Sequence, residues 1–261
     1  MTGLATYKFQ GGDVIALTDG AAEFDNSVFP DLDPAIIAGR LAATRETAIR
    51  TEFNCFLLRL AGQPLTLVDT GCGTFFGPDC GRLAAHLYDL NIAPEQIGRI
   101  IFTHLHRDHV GGAFIDGQLT FPSAEVILHD DEPPFWAGQD AAAAQFLAAC
   151  PDYRTVRDGE VIAKGVVAWH LPGHTPGHMG LRIGDKLVLV GDILHSAALQ
   201  LPDPEVSTKF DSHPDIARDT RAKALKTIAE RRLIASGGHF LGPDKFLKVL
   251  QEGDSYRMTK R

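Results

Sequence analysis

Several features that define other protein classes are scarce or missing in this 261-residue sequence. No run approaches the roughly 18 consecutive apolar residues that a membrane-spanning helix needs, so we expect no membrane partner. No basic region followed by an apolar run opens the chain, so we predict a cytoplasmic protein, although a trimmed secreted chain would look the same. The four cysteines form no C-x-x-C pair and indicate reduced thiols rather than a disulfide framework.

Positively charged residues are also few compared with negatively charged ones. The sequence has 25 Lys and Arg against 33 Asp and Glu, a formal net charge of −8, and it has no basic block. Because contacts to phosphates supply most of the affinity for nucleic acids, such a chain is a poor nucleic-acid binder. A hydrophobic fraction of 44% nevertheless excludes a disordered chain and predicts a globular protein with a sizeable core.

The hydrophobic pattern places short strands in groups, with helices between the groups. This order predicts a layered α/β protein whose sheets are covered by helices. No linker-like segment divides the chain, so we expect one domain over residues 1–261. The predicted helices are Pro34–Leu41, Asp79–Leu90, Asp131–Ala149 with an interruption near Gly138, Asp215–Arg232 and Pro243–Leu250.

The segment with the clearest chemistry is T-H-L-H-R-D-H-V-G-G, which starts at residue 103 and follows the buried strand Arg99-Ile100-Ile101-Phe102. His104 and His106 are two residues apart, so on an extended backbone they project to the same side. Asp108 and His109 follow where the chain turns into a helix, and adjacent residues there point apart. Imidazole and carboxylate ligands together suit zinc or a similar divalent ion.

Four other segments share one pattern, in which an apolar strand is followed by a polar residue at or just beyond its C-terminal end. If these strands lie in packed sheets, their ends gather along one edge together with the histidine-rich segment. The polar residues are Asp69, His174, Asp192 and His239.

The run His104-Leu105-His106-Arg107-Asp108-His109 resembles the H-x-H-x-D-H signature of the metallo-β-lactamase superfamily. Gly173-His174, Gly191-Asp192 and Gly238-His239 then follow in the order which that superfamily uses. The resemblance runs from Asn54 to His239 and therefore covers most of the chain. It implies an αββα sandwich.

The resemblance also implies a centre of two divalent metal ions, most simply zinc, with manganese, cobalt or iron as alternatives. One ion is held by His104, His106 and His174. The other is held by Asp108, His109 and His239, with Asp192 as the bridge. Two metals about 3.5–4 Å apart can share a hydroxide that attacks a carbonyl or phosphoryl centre, so no protein nucleophile is needed.

Three further side chains have predicted supporting roles. Asp69 accepts the second N–H of a metal-bound histidine, or else caps a turn at the end of its strand. His178 plays a similar part or is a turn residue. His195, three residues after Asp192, faces the substrate as a proton donor, so the predicted catalytic residues are Asp108, Asp192 and His195.

Aromatic residues near the expected metal edge predict a pocket for an apolar or aryl substrate. The four candidates are Phe75, Phe76, Phe135 and Trp136. Any one of them fits an ordinary hydrophobic core equally well, and we expect about two of the four to line the site.

The residues also discriminate among branches of the superfamily. His106 disfavours the flavodiiron type, which has Glu there, and Asp192 stands where common zinc β-lactamases have Cys. Only 22 residues follow His239, too few for the helical substrate domain of glyoxalase II. The remaining resemblance is to the branch of methyl parathion hydrolase and related lactonases, and it implies a small-molecule substrate and a homodimer.

The predicted function is therefore a dinuclear metal-dependent hydrolase of small neutral lactones or aryl esters, with organophosphate triesters as a side substrate. The best-known acyl-homoserine lactonases have a Tyr shortly after the bridging Asp, and this chain has no Tyr between Asp192 and His239. Alternatives are a mononuclear iron protein that resembles the persulfide dioxygenases, a β-lactamase or thioester hydrolase, and a metal-binding module without activity.

Overall fold

The computed structural model describes residues 4–139 and 142–261 and is built on two seven-stranded sheets. The strands are β1 Leu4–Phe9, β2 Gly12–Phe24, β3 Ile49–Leu60, β4 Leu65–Val68, β5 Ile97–Ile101, β6 Phe114–Ile115, β7 Gln118–Leu119, β8 Glu125–His129, β9 Tyr153–Val156, β10 Val161–Ala163, β11 Val166–His170, β12 Met179–Ile183, β13 Leu187–Leu189, β14 Ile234–Ser236, β15 Leu247–Glu252 and β16 Ser255–Lys260. The helices are α1 Pro34–Ala43, α2 Leu83–Asp89, α3 Arg107–Val110, α4 Glu132–Trp136, α5 Ala142–Ala149, α6 Ala197–Gln200 and α7 Pro214–Glu230.

The first sheet has the order β1-β2-β3-β4-β5-β8-β9, and the second has the order β10-β11-β12-β13-β14-β15-β16. β6 and β7 form a small separate ribbon. Within the first sheet β4, β5, β8 and β9 run parallel, and in the second sheet β13 and β14 do. The loops that follow parallel strands leave the sheet at the same edge.

The two sheets pack face to face through strands that are buried on both sides. Val14 and Ala16 of β2 belong to the cluster between the sheets, whereas Ile15 and Leu17 point to the outer cluster. This alternation is the two-residue period of a strand, and burial on both faces explains why the sequence shows nearly continuous apolar runs.

Helices cover both outer faces. α2 and α5 contribute Leu83, Leu87 and Phe146 to the outer cluster of the first sheet. α7 packs Leu225 and Ile228 against the outer face of the second sheet. The layers are therefore helix, sheet, sheet, helix, and the predicted αββα sandwich is confirmed.

One predicted helix is wrong. Pro243–Leu250 was expected to be helical, but Leu247–Glu252 forms strand β15, which pairs with β14 on one side and with β16 on the other. The local apolar spacing fits either period. Because β14 and β16 pair with the two edges of this segment and satisfy its backbone hydrogen bonds, the segment forms a strand and not a helix.

Across residues 4–139 and 142–261, none of the helices combines the length and the apolar character that crossing a bilayer requires.

Candidate metal centre

The histidine-rich segment leaves the first sheet at the C-terminal end of β5. His104 and His106 lie before α3, with ring centroids 4.8 Å apart, and Asp108 and His109 lie inside α3. Gly112, just after α3, passes so close to the neighbouring loop that a Cβ atom there would lie 2.1 Å from the carbonyl oxygen of Thr70. Any larger residue would push the histidine segment away from the first sheet.

A first donor set is formed by His104, His106 and His174, whose ligand atoms lie within 4.8 Å of one another. His106 Nδ1 and His174 Nε2 face each other at 2.9 Å. Burial, with the nearby His174, lowers the pKa of His106 to about 3. Burial likewise holds the pKa of His104 well below its usual value. Neutral imidazoles are the form that binds a metal.

A second donor set is formed by Asp108, His109, Asp192 and His239. Asp192 Oδ2 lies 2.8 Å from His239 Nε2 and 3.2 Å from His109 Nε2. Asp108 Oδ2 lies 3.5 Å from His109 Nε2 and 3.6 Å from His239 Nε2. The structure thus brings together all seven predicted metal ligands in two adjacent groups.

Asp192 lies between the two groups. Besides the two contacts already given, its Oδ2 atom is within 3.7 Å of three more imidazole nitrogens, those of His104, His174 and His195. Burial alone would raise the pKa of Asp192, but the charges of His109 and His239 outweigh it and hold that pKa well below its usual value. Burial alone would lower the pKa of His109. The neighbouring carboxylates of Asp192, Asp108 and Asp69 outweigh burial and hold that pKa well above its usual value.

The two predicted supporting residues lie directly behind the donors. His109 Nδ1–H donates to Asp69 Oδ2 at 2.9 Å, and this leaves Nε2 for the site. His178 Nδ1–H donates to the carbonyl of Leu171 at 2.7 Å, while its Nε2 accepts from the N–H of Asp192 at 2.9 Å. Burial lowers the pKa of His178 to about 3, so a neutral imidazole fixes the backbone of Asp192.

Two residues behind the site escaped the sequence reading. Asp211 accepts from His174 Nδ1–H at 2.9 Å. Glu132, which is fully buried, accepts from the Leu105 N–H and, through its other oxygen, from the Thr175 hydroxyl. The only sequence signal of Glu132 was its place at a predicted helix start, which is too common to select it. Asp211 ends the run Ser207-Thr208-Lys209-Phe210-Asp211, which resembles the methyl parathion hydrolase and lactonase branch, but the resemblance assigned it no role.

His195 is buried and lines a cavity of about 310 Å³, together with residues of both donor sets. Its Nε2 lies 3.6 Å from Asp192 Oδ2, and its Nδ1 has no hydrogen-bond partner within the described residues. Burial holds the pKa of His195 well below its usual value, so the imidazole is neutral.

The walls of this cavity are mostly apolar. Of the four aromatic candidates, Phe76 and Trp136 line it, whereas Phe135 packs against the outer cluster of the first sheet. The Phe75 ring lies 5.5 Å from the Arg107 guanidinium and is not part of the lining. The other apolar lining residues are Phe24, Phe53, Leu105 and Phe210.

Phe76 and Phe75 offer a matched test of the cavity, since both side chains are 44% exposed and only Phe76 lines it. We expect Phe76→Ala to raise KM for an apolar substrate about fivefold, from the loss of roughly 1 kcal/mol of apolar contact, with kcat nearly unchanged. Phe75→Ala is the control and should leave KM as it is. Equal changes in KM for the two variants would contradict this placement of the cavity wall.

The donor chemistry fits a pair of divalent ions. Imidazole nitrogens and carboxylate oxygens are the ligands of zinc and related metals in proteins. His104 Nε2 and Asp192 Oδ1 are buried and lack a hydrogen-bond partner within the described part of the chain. Buried polar atoms are normally paired, so these two atoms indicate a ligand that the protein itself does not supply.

Comparisons with known proteins agree with this geometry. A family model described as "Metallo-beta-lactamase superfamily" matches residues 53–239. An N-acyl homoserine lactonase from a Bacillus species is 30% identical over 230 residues, which cover 76% of this chain and 85% of that protein. An N-acyl homoserine lactonase from Bacillus cereus is 26% identical over 220 residues, with the same coverage.

Two solved structures match over the whole chain. The crystal structure of "hydrolase AbOPH in beta lactamase superfamily" has a TM-score of 0.90 and 26% identity, and the match covers 100% of this chain and 98% of that one. AidC, described as a dizinc quorum-quenching lactonase, has a TM-score of 0.93 and 24% identity with the same coverage.

The family model spans most of the chain, including every donor residue from His104 to His239, so the chain belongs to the metallo-β-lactamase superfamily. It is a hydrolase of that superfamily. The membership predicted from the H-x-H-x-D-H segment is confirmed.

Proposed function

We propose that the protein is a dinuclear metal-dependent hydrolase that opens small neutral lactones. Aryl esters are a second substrate class, and organophosphate triesters are a side substrate. The observation that carries this proposal is the meeting of two donor sets at Asp192 beneath an apolar cavity. Relatives named N-acyl homoserine lactonase support the lactone as the main substrate.

His104, His106 and His174 would hold one ion, and Asp108, His109 and His239 the other, with Asp192 between them. When bound, two such ions supply Lewis acidity and make a water molecule nucleophilic near neutral pH. The neutral imidazoles of His104 and His106 are ready to bind without losing a proton. Zinc is our proposal for the metal, and the donor set accepts manganese, cobalt or iron as well.

The cavity favours an uncharged substrate. Phe24, Phe53, Phe76 and Phe210 offer apolar surface to an acyl or aryl group. Arg107 is the one Lys or Arg among the lining residues, and its guanidinium lies over the Phe75 ring. A carbonyl group directed toward Asp192 would place its apolar substituent against these rings, away from water.

His195 is positioned to act on the leaving-group oxygen of the substrate. It lines the cavity as a neutral imidazole, and one of its nitrogens has no partner in the described protein. We propose that it donates a hydrogen bond, and then its proton, to the departing alkoxide, and that the proton released by the attacking water returns the imidazole to its neutral form. Such positioned proton donors contribute about 10²–10⁴-fold to a rate.

Replacing His195 by Ala should therefore lower kcat about 100-fold and change KM by only a few-fold. His195 also forms a group of possible ligands with His174 and Asp192. Zinc content should nevertheless stay at the wild-type value, because the proposed centre has three other donors for each metal besides the shared Asp192. His213→Ala, at an exposed histidine, is the control variant. A loss of bound metal in His195→Ala would show that His195 is a ligand and not a proton donor.

The test of the proposed function combines elemental analysis of protein purified without chelators with hydrolysis of a lactone, an aryl ester and a phosphotriester. Close to two metals per chain, with lactone turnover the fastest, is the expected result. One iron per chain, no hydrolysis and oxygen uptake on a persulfide would replace the proposal by the dioxygenase alternative. That alternative binds one iron through two histidines and an aspartate, so four of the seven donors would be left without a role.

The single domain over residues 1–261, the homodimer and the cytoplasmic location stay predictions. Analytical ultracentrifugation tests the dimer directly.

A further inference from the structure

Helix α7 buries one arginine among small and apolar side chains. The Arg221 side chain is 1% exposed, and its buried neighbours on the helix include Ala217, Ala224, Leu225 and Ile228. Burying a guanidinium is costly unless its donors are paired. An arginine in this position therefore indicates a specific set of partners.

Those partners lie on segments that lead to the metal centre. Arg221 Nε–H donates to the carbonyl of Ile193, the residue after Asp192, at 2.6 Å. Nη1–H donates to the carbonyl of Pro204 at 2.9 Å, and Nη2 lies 3.4 Å from Asp211 Oδ2. One cation thus holds both the Asp192 loop and the Asp211 carboxylate.

Asp211 connects Arg221 to His174 of the first donor set. Its side chain is fully buried, and Oδ1 accepts from His174 Nδ1–H at 2.9 Å. Oδ2 also accepts from the N–H of Thr208 at 3.0 Å. With the proton held on Nδ1, the Nε2 lone pair of His174 is directed toward the first donor set.

The backbone of the His174 loop rests on the same helix. The carbonyl of Gly173 accepts from the N–H of His213, at the start of α7, at 2.9 Å. Gly173 has a φ of +124°, and a Cβ atom there would lie 2.2 Å from the N atom of Ala217. The loop therefore contacts α7 directly, with no space for a larger residue.

We propose that Arg221 and Asp211 are positioning residues that couple the two donor sets. Asp211 fixes the His174 imidazole with Nε2 toward the first metal position. Arg221 fixes Asp211 and the segment of Asp192 at the same time, so that the three-histidine set and the shared carboxylate keep one relative position. This proposal rests on the proposed dinuclear function, and neither residue touches metal or substrate.

The test compares zinc dissociation constants, measured by chelator competition, with thermal unfolding of the metal-free chains. Arg221→Met and Asp211→Asn keep the side-chain volume, and we expect zinc binding about 10- to 100-fold weaker in both. Arg221→Lys, which keeps the charge, should restore part of the affinity. Arg218→Met, at a half-buried arginine of the same helix that pairs with Asp31 and Asp215, is the matched control.

The zinc affinity separates positioning from plain structural support, which would lower the unfolding temperature and leave the affinity unchanged. If the wild type binds two zinc ions and Asp211→Asn binds zinc with the same affinity as the wild type, the positioning role is overturned and the proposed function stands. Wild-type protein that binds no zinc would overturn the proposed function itself.

Should Asp211→Asn not fold, imidazole NMR of the zinc-loaded wild type decides. We expect a His174 Nδ1 proton that is protected from solvent exchange. A freely exchanging proton would contradict the contact with Asp211.

Discussion

Asp192→Asn is expected to lose one metal of the proposed dinuclear centre and to reduce the proposed lactone hydrolysis on the order of 10³-fold or more. The carboxylate stands between two donor sets, with Oδ2 within 3.7 Å of five imidazoles. An amide of the same shape keeps the packing and removes the negative charge that both sets share. Removal of even a single electrostatic stabiliser from an active site costs about 10²–10³-fold.

The measurement is metal content together with kcat for a lactone. Asp219→Asn, an exposed aspartate that pairs with Lys223 on α7, is the control and should behave as wild type. Full activity with two bound metals in Asp192→Asn would remove Asp192 from its bridging position.

The second large effect is expected at Glu132, a fully buried carboxylate that no chemical step uses. Oε1 accepts from the Leu105 N–H at 2.8 Å and from Trp136 Nε1–H at 2.7 Å. Oε2 accepts from the Thr175 hydroxyl at 2.6 Å. Leu105 lies between His104 and His106 of the first donor set, and Thr175 follows His174 of the same set.

Glu132→Ala would leave three buried donors without an acceptor, at about 1–3 kcal/mol each. We therefore expect the free energy of unfolding to fall by about 3 kcal/mol or more, and zinc affinity to fall with it. Urea unfolding of the metal-free chain, followed by circular dichroism, measures the first effect.

Glu132→Gln is the matched variant. Its oxygen can take the place of Oε1, and its NH₂ group can donate to Thr175 once that hydroxyl rotates to accept. Most of the stability should therefore return. If Ala and Gln were equally destabilising, or both harmless, hydrogen bonding by Glu132 would not be what joins the two ligand loops.

The sequence was sufficient to predict an element where its local residue pattern follows directly from burial or from helix capping in the folded chain. Strands β4 and β5 appear as short apolar runs because they are buried on both faces, and each is followed by polar residues of the site. α1 begins where Asp33 and Pro34 predict it, since the Asp33 side chain accepts from the Ala35 N–H. The ordered histidines and aspartates of the family signature were enough to predict all seven donors that the structure brings together.

Sequence reasoning was insufficient where a residue acquires its role only through distant partners. Asp211 and His174 are 37 residues apart, and Glu132 meets Thr175 across 43 residues. β15 was predicted as a helix because its apolar spacing is ambiguous until β14 and β16 pair with it. The aromatic candidates could not be told apart from the sequence either. Phe75 and Phe76 are equally exposed, and only the fold determines which of the two rings lines the cavity.

The central claim, two metals that share Asp192, is tested most directly by anomalous diffraction at the zinc edge from crystals of the zinc-loaded protein. Two peaks are expected, one beside His104, His106 and His174 and one beside Asp108, His109 and His239, with Asp192 contacting both. A single peak in the three-histidine set, with no density near Asp108, would contradict a dinuclear centre.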